Sequence, residues 1–469
     1  MSTNVKELQE KLTWTFPHIG EKYPAQREEA SVFCEGYKAY LNEGKTEREC
    51  AAISVKMLEE AGYEPFDTKK TYKPGDKVYY VNRKKAVIAT TFGSQPIENG
   101  VRINGAHIDS PRLDLKPVPL YEKNDIAYFK THYYGGLRKY QWGTIPLALH
   151  GVIVKEDGEV VTVSVGEQEG EPVFCVTDLL PHLSAEQNKR PLNEGLKGEE
   201  LNILIGSMPF IDEEISEEVR DAVKLHVLVL LNEKYGITEK DFVRAEIEMV
   251  PAFRAKDVGF DRSLIGAYGQ DDRVCAYTAL KAEIETVSPL YTTVTVLTDK
   301  EEIGSEGNTG LNSDYLGHYI AYLAEGQGAD VKTVLAHSVC LSSDVNAAYD
   351  PTFASVYEAG NSCYINKGCV LTKYTGVRGK SASNDASAEL MARVVKIMDD
   401  AGVCWQIGEL GAVDAGGGGT IAKYVASMNV DVVDLGVPIL SMHAPFELAS
   451  KLDIYHTYLA FKAFYQSKL

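Results

Sequence analysis

Apolar positions recur at helical spacing in EEASVFCEGYKAYLNEG and TERECAAISVKMLEEAGY, so the first 65 residues are predicted to be helical. Gly44 closes the first helix, and a threonine, glutamate pair suited to an N-cap opens the second. The period then changes. AVIATTFG and VRINGAHIDSP are predicted buried strands closed by turn residues. From about 118 to 255 short alternating strands take over, as in HGVIVKEDGEVVTVSVGE with its EDGE hairpin signal. A polar stretch, SAEQNKRPLNEGLKGEE, and an amphipathic helix around EEVRDAVKLHVLVLLNEKYG follow. After FRAKDVGFDRSLIGAYGQ the two periods alternate: helix in DRVCAYTALKAEIE, strand in TTVTVLTD, helix near 313–325, strands in TVLAHSVCLSSD and CVLTKYTG, helix in SNDASAELMARVVKIMDDAG, and strand in DVVDLGVPILSMH. This rhythm predicts an α/β fold with a mainly parallel central sheet flanked by helices, formed by residues 1–117 and 256–469 and interrupted by an inserted β-rich unit at 118–255.

Composition narrows the partners. The 469 residues, 44% hydrophobic and 25% charged, suit an ordinary globular protein of more than one structural unit. A net charge of −19 repels nucleic acid and anionic membrane surfaces. Nowhere do about eighteen apolar residues run together, and the amphipathic N-terminus has no apolar leader core, so a cytoplasmic location is expected. The eight cysteines are scattered without a CxxC pair, which predicts reduced core residues and not zinc ligands.

The candidate chemistry sits in five short stretches at predicted strand ends and turns. His107 and Asp109 lie in GAHIDSP, Asp271 and Asp272 in GQDDR, Glu301 and Glu302 in DKEEIGS, Asp344 in LSSDVNAAYDP and His443 in LSMHAPFE. His107 and Asp109 are two apart on an extended segment and face the same side, so Asp109 can hold the imidazole in one tautomer. Taken singly, each has another reading: a hydrogen-bonded core histidine, a helix N-cap for one aspartate of the pair, a turn cap for Asp344, a solvated pair for the glutamates. Taken together, nitrogen and oxygen donors without thiolate suit Zn²⁺, Co²⁺ or Mn²⁺. One histidine and one terminal carboxylate per ion, sharing a bridging carboxylate, would build a two-metal centre.

In this order the motifs GAHIDSPR, QDDR, DKEEIGS, SSDVNAAYDP and LSMHAPFE resemble those of the aspartyl aminopeptidase family of dinuclear zinc exopeptidases, and the likeness extends to the LAFKAFY tail. The resemblance implies a zinc-exopeptidase-like fold and two zinc ions per subunit, replaceable by cobalt or manganese. His107 would be a ligand of one ion, Asp271 the bridge, Glu302 a ligand of the other metal site, Asp344 a terminal carboxylate ligand and His443 the closing histidine. Glu301 would be the general base, with Asp109 behind His107. It further implies peptide substrates cut after a free N-terminal residue, acidic residues being the family's preference. The inserted unit would mediate dimer contacts or act as a lid in a homo-oligomer, a dodecamer built from dimers. A histidine from the neighbouring subunit completes the family's site, and His182 in LLPHLSAEQNK matches its context, although an ordinary loop histidine would read the same way.

Lys373, Arg378 and Lys380 could attract an acidic substrate side chain, or be solvated surface charge. Near Ser381, where eukaryotic members carry a tyrosine, the sequence departs from them, which bears on that preference. VDAGGGGTIAKY lacks a P-loop ending and reads as close backbone approach near the substrate. Two further functions fit the same residues: an N-acyl amino acid deacylase working through the same two-metal site, and an inactive metal-binding assembly scaffold.

Overall fold

A computed structural model describes residues 4–211 and 220–468. Its centre is a nine-stranded sheet whose four middle strands, Thr293–Thr298, Arg102–His107, Val339–Ser342 and Asp431–Gly436, run parallel. The flanks are mixed. Ala86–Thr91 pairs antiparallel with Thr293–Thr298, and Cys369–Thr372 pairs antiparallel with Asp431–Gly436. The expectation of a mainly parallel sheet therefore holds for the middle and is corrected at the sides. A fully buried strand is apolar throughout whichever way it runs, so hydropathy does not encode direction.

Every residue of Ala86–Thr91, Arg102–His107 and Thr293–Thr298 is buried because both faces of the sheet are covered. One face packs against the helices Gln26–Glu43, Glu47–Glu60, Gln270–Ile284 and Lys451–Gln466, with Tyr37, Val274 and Ile454 in their shared core. The other packs against Tyr315–Gly326 and Ala422–Ser427 through Leu316, Ile320 and Val425. The N-terminal boundaries follow the sequence signals: Gly44 caps the first long helix, and Thr46 and Glu49 form a reciprocal capping box on the second, worth about 1 kcal/mol.

TVLAHSVCLSSD is not one strand. Asp330 caps the helix Val331–Ala336, and the strand Val339–Ser342 begins only after it. The predicted helix around EEVRDAVKLHVLVLLNEKYG is Ala222–Tyr235, and its expected start at 217–219 lies outside the described residues.

The strand Arg112–Lys123 begins shortly after His107 and enters a second, antiparallel sheet of seven strands that also contains Ile126–Tyr134, Leu147–Val154 and Ala245–Pro251. Phe129, Trp142 and Met249 lie in its separate core. A third sheet of five short strands includes Pro438–Leu440 and Glu447–Ser450. Among the described residues no helix is long and apolar enough to cross a membrane. The eight cysteines are free thiols, and all but Cys175 are buried.

Candidate metal centre

Three adjacent parallel strands supply one side of the site. Arg102–His107 ends on His107, Thr293–Thr298 leads into the turn Glu301–Ile303, and Val339–Ser342 is followed by Asp344. Thr298 and His107 are in register, so the residues beyond these carboxyl ends converge where open α/β sheets keep their ligands. Asp271 and Asp272 come from the start of the helix Gln270–Ile284, where both have non-helical dihedrals. Both oxygens of Asp272 lack a hydrogen-bond partner and those of Asp271 face the two histidines, so neither aspartate caps the helix through its side chain. His443 sits on the turn between Pro438–Leu440 and Glu447–Ser450.

Asp271 is the centre of the cluster. Its Oδ1 lies 3.2 Å from Nε2 of His107 and its Oδ2 lies 3.1 Å from Nε2 of His443. Asp344 and Glu301 approach the same His107 nitrogen at 3.8 and 3.9 Å, whereas Glu302 approaches that of His443 at 3.6 Å. The two glutamates, adjacent in sequence, thus face different histidines. Their burial differs as well: the side chain of Glu302 is 3% exposed and that of Glu301 16%. Nδ1 of His107 meets the carbonyl of Asp109 at 3.0 Å, and Nδ1 of His443 meets the carbonyl of Gly136 at 2.8 Å. A carbonyl only accepts, so both Nδ1 atoms carry hydrogen and both Nε2 atoms are left to face Asp271.

This donor set fits a divalent metal. Neutral imidazoles would point lone pairs at the oxygens of Asp271, a repulsion that a cation between them removes. Both oxygens of Asp272 and Oε1 of Glu302 are buried without a hydrogen-bond partner. Burial, reinforced by the charge of Asp344, pushes Glu301 up to about 8, and burial drives Glu302 well above the usual carboxylate range. Burial opposes the imidazolium of His443, but the charges of Glu302 and Asp271 outweigh it and raise the ring to about 11. Carboxyls pushed up beside imidazoles pulled up are what crowded ligands show before a cation compensates them. Two groups, His107 with Asp272 and Asp344, and His107 with Asp271 and Glu302, bring ligand atoms within 4.8 Å of one another.

Asp109 lies behind His107, its carbonyl 3.0 Å and its carboxylate 3.4 Å from Nδ1 of the ring. The two carboxylate oxygens accept the backbone N–H groups of Glu301 and Glu302 at 3.1 and 3.2 Å, so the side chain fixes the turn carrying both glutamates.

Asp272, a candidate in the sequence to which the family resemblance gave no role, shares a ligand group with His107 and Asp344. One positioning residue escaped the sequence reading. Glu447, at the end of LSMHAPFE, is buried and accepts the N–H of Asp271 at 3.1 Å and that of His443 at 2.7 Å. One carboxylate therefore holds the backbone of the central aspartate and of a histidine at φ 62°, a left-handed conformation uncommon outside glycine. A glutamate four positions past a histidine in the same motif was the available signal.

The cluster opens into a cavity of about 500 Å³ whose wall includes Tyr374, Arg378, Lys380, Glu409, Gly416, Gly417 and Lys423, so the glycine-rich stretch does border the site. Lys373 and Lys380 both pair with Asp385, at 2.7 and 2.8 Å. His182 is exposed on the turn Pro181–Leu183 and is not among the described residues lining this cavity.

The profile of the family described as aminopeptidase I zinc metalloprotease (M18) matches residues 40–465. A probable M18 family aminopeptidase 1 of Clostridium acetobutylicum is 48% identical over 458 residues, which is 96% of this chain and 98% of the relative. The solved M18 aminopeptidase of Thermotoga maritima superposes with a TM-score of 0.92 at 43% identity, covering 97% of this chain and 100% of that one. Aminopeptidase I from Clostridium acetobutylicum gives 0.91 at 44% identity over the same shares. With both histidines, the central aspartate and the paired glutamates gathered at one sheet edge, the chain belongs to the M18 peptidase family of aminopeptidase I zinc metalloproteases.

Proposed function

We propose that this zinc aminopeptidase removes the first residue of unblocked peptides at a two-metal centre bridged by Asp271. The observation that carries the reading is the opposition of the two histidines, one on each oxygen of Asp271 at 3.2 and 3.1 Å. His107 and Asp344 would hold one zinc, His443 and Glu302 the other, with Asp272 beside the first. Bound zinc supplies Lewis acidity that polarises the scissile carbonyl and lowers the pKa of water. Glu301, the more exposed glutamate and a wall residue of the cavity, takes the proton from the attacking water and returns it to the leaving amine. Asp109 keeps Glu301 and Glu302 in their separate positions through their backbone N–H groups. Because Lys373 and Lys380 are spent on Asp385, a preference for acidic N-terminal residues rests on Arg378 and Lys423 against the charge of Glu409.

The test compares a free-amine dipeptide with its N-acetylated form, before and after chelation. Cleavage of the free amine alone, lost on chelation and restored by Zn²⁺, Co²⁺ or Mn²⁺, is expected. Faster cleavage of the acetylated form would favour the deacylase, and none of either the scaffold.

The residues 118–255 form the assembly unit in this reading, and the oligomer is a dodecamer built from dimers in which His182 acts on a neighbour's site. Leu179, Leu180 and Leu183 are each at least half exposed around His182, an apolar patch that supports burial against another copy. The dodecamer solved for a yeast protein is 21% identical to this chain and supports only the shared fold. His182→Ala should lower kcat roughly tenfold or more with metal content unchanged, the scale of losing one positioned polar group. A fully active monomer in gel filtration would count against this arrangement.

A further inference from the structure

The inserted sheet touches the cluster through three consecutive residues. Its strand Ile126–Tyr134 ends at Tyr134, whose hydroxyl donates to Oδ2 of Asp109 at 2.8 Å, the oxygen that also accepts the N–H of Glu302. Two residues on, the carbonyl of Gly136 accepts from Nδ1 of His443 at 2.8 Å. Gly135, between them, has φ +74°, and a Cβ there would lie 3.2 Å from Oε2 of Glu302. A Cβ on Gly136 would lie 3.2 Å from Nδ1 of His443. The far side of the strap is anchored too. The Arg112 guanidinium covers the Tyr134 ring at 3.8 Å and pairs with Glu248 of the same sheet at 3.2 Å and with Glu47 of the helical layer at 3.4 Å.

The two halves of the centre are supported unequally. His107 is 1% exposed and its Nδ1 is satisfied by its own strand's continuation at Asp109. His443 is 34% exposed, stands on a left-handed turn, and its Nδ1 depends on a carbonyl from the inserted sheet. We propose that the strap Tyr134–Gly136 is a positioning element through which the inserted sheet sets the His443–Glu302 half of the centre, so that one metal position, and not the other, depends on how that sheet is seated. The inference rests on the two-position reading above. The strap fixes the tautomer of His443 from one end, restricts the space of Glu302 in the middle and orients Asp109 from the other end. Gly135 stands in the left-handed region, and a Cβ at either glycine would force Glu302 or His443 to give by a few tenths of an ångström.

Zinc titration of the full-length apoprotein against a chromogenic chelator tests this, with circular dichroism as the fold control. The wild type should bind two ions. Gly136→Val, and Gly136→Ala to a smaller degree, should keep one ion at wild-type affinity and weaken the other by about 10- to 100-fold, the usual effect of disturbing a ligand's supporting partner. Gly136 is not in the left-handed region, so alanine there adds bulk without backbone strain. Tyr134→Phe should weaken the same ion, by less than Gly136→Val does, because the Asp109 oxygen it releases is the one that holds the N–H of Glu302. Two ions at wild-type affinity in Gly136→Val or in Tyr134→Phe, or equal weakening of both ions, would overturn the proposal. A wild type that binds a single ion would instead overturn the two-position reading and the strap with it.

Discussion

Glu301→Gln should lower kcat by about 10²-fold or more while both metal ions stay bound, the usual scale for losing a general base. The amide has the shape of the carboxylate but cannot accept the proton of the attacking water. Metal content should survive because Glu301 belongs to neither group of converging ligand atoms, whereas the nearly sealed Glu302 belongs to one. KM should change little, since the lost interaction belongs to the transition state. The same change one residue later should behave differently. Glu302→Gln exchanges an anionic donor for a neutral one, so one metal position weakens and activity returns in part at high zinc concentration. Mass-spectrometric metal content and kcat measured on both variants decide the matter, and equal metal loss in the two would reverse or abolish the assignment.

Asp271→Asn is expected to be the most damaging single change. The aspartate presents one oxygen to each histidine, and an amide can offer an oxygen to only one side while its NH₂ group turns a donor toward the other. Both metal positions should weaken, zinc content should fall below one per chain, and kcat should fall on the order of 10³-fold or more as the Lewis acid is lost. The backbone should hold, because Glu447 and Ser110 bond the N–H and carbonyl of Asp271 and not its side chain. An Asp271→Asn protein that keeps two ions would remove the bridge from the account.

The parts of the fold legible in the sequence are those set by local physics. Gly44, Thr46 and the paired periods of three to four residues locate the N-terminal helices because caps and amphipathic faces are written within a few positions. Val331–Ala336 was missed because six residues are too few to show a helical period, and the apolar Val339–Ser342 strand that follows dominated the window. Strand direction at the sheet's sides was not readable, since Ala86–Thr91 is buried on both faces like its parallel neighbours. For the site, residue type and position after predicted strands brought out His107, Asp271, Glu301, Glu302, Asp344 and His443. The positioning shell stayed hidden because it is made of long-range contacts. Tyr134 reaches Asp109 and Gly136 reaches His443 across folds of chain that no local pattern records. Glu447 belongs to the same shell, because its burial beneath two backbone N–H groups is fixed by the packing and not by neighbouring residues.

Anomalous scattering at the zinc edge from crystals of the zinc-loaded protein tests the central claim most directly. The account predicts two peaks, one among His107, Asp344 and Oδ1 of Asp271, the other among His443, Glu302 and Oδ2 of Asp271, with Glu301 bound to neither. A single peak, or a peak ligated by Glu301 in place of Glu302, would contradict it.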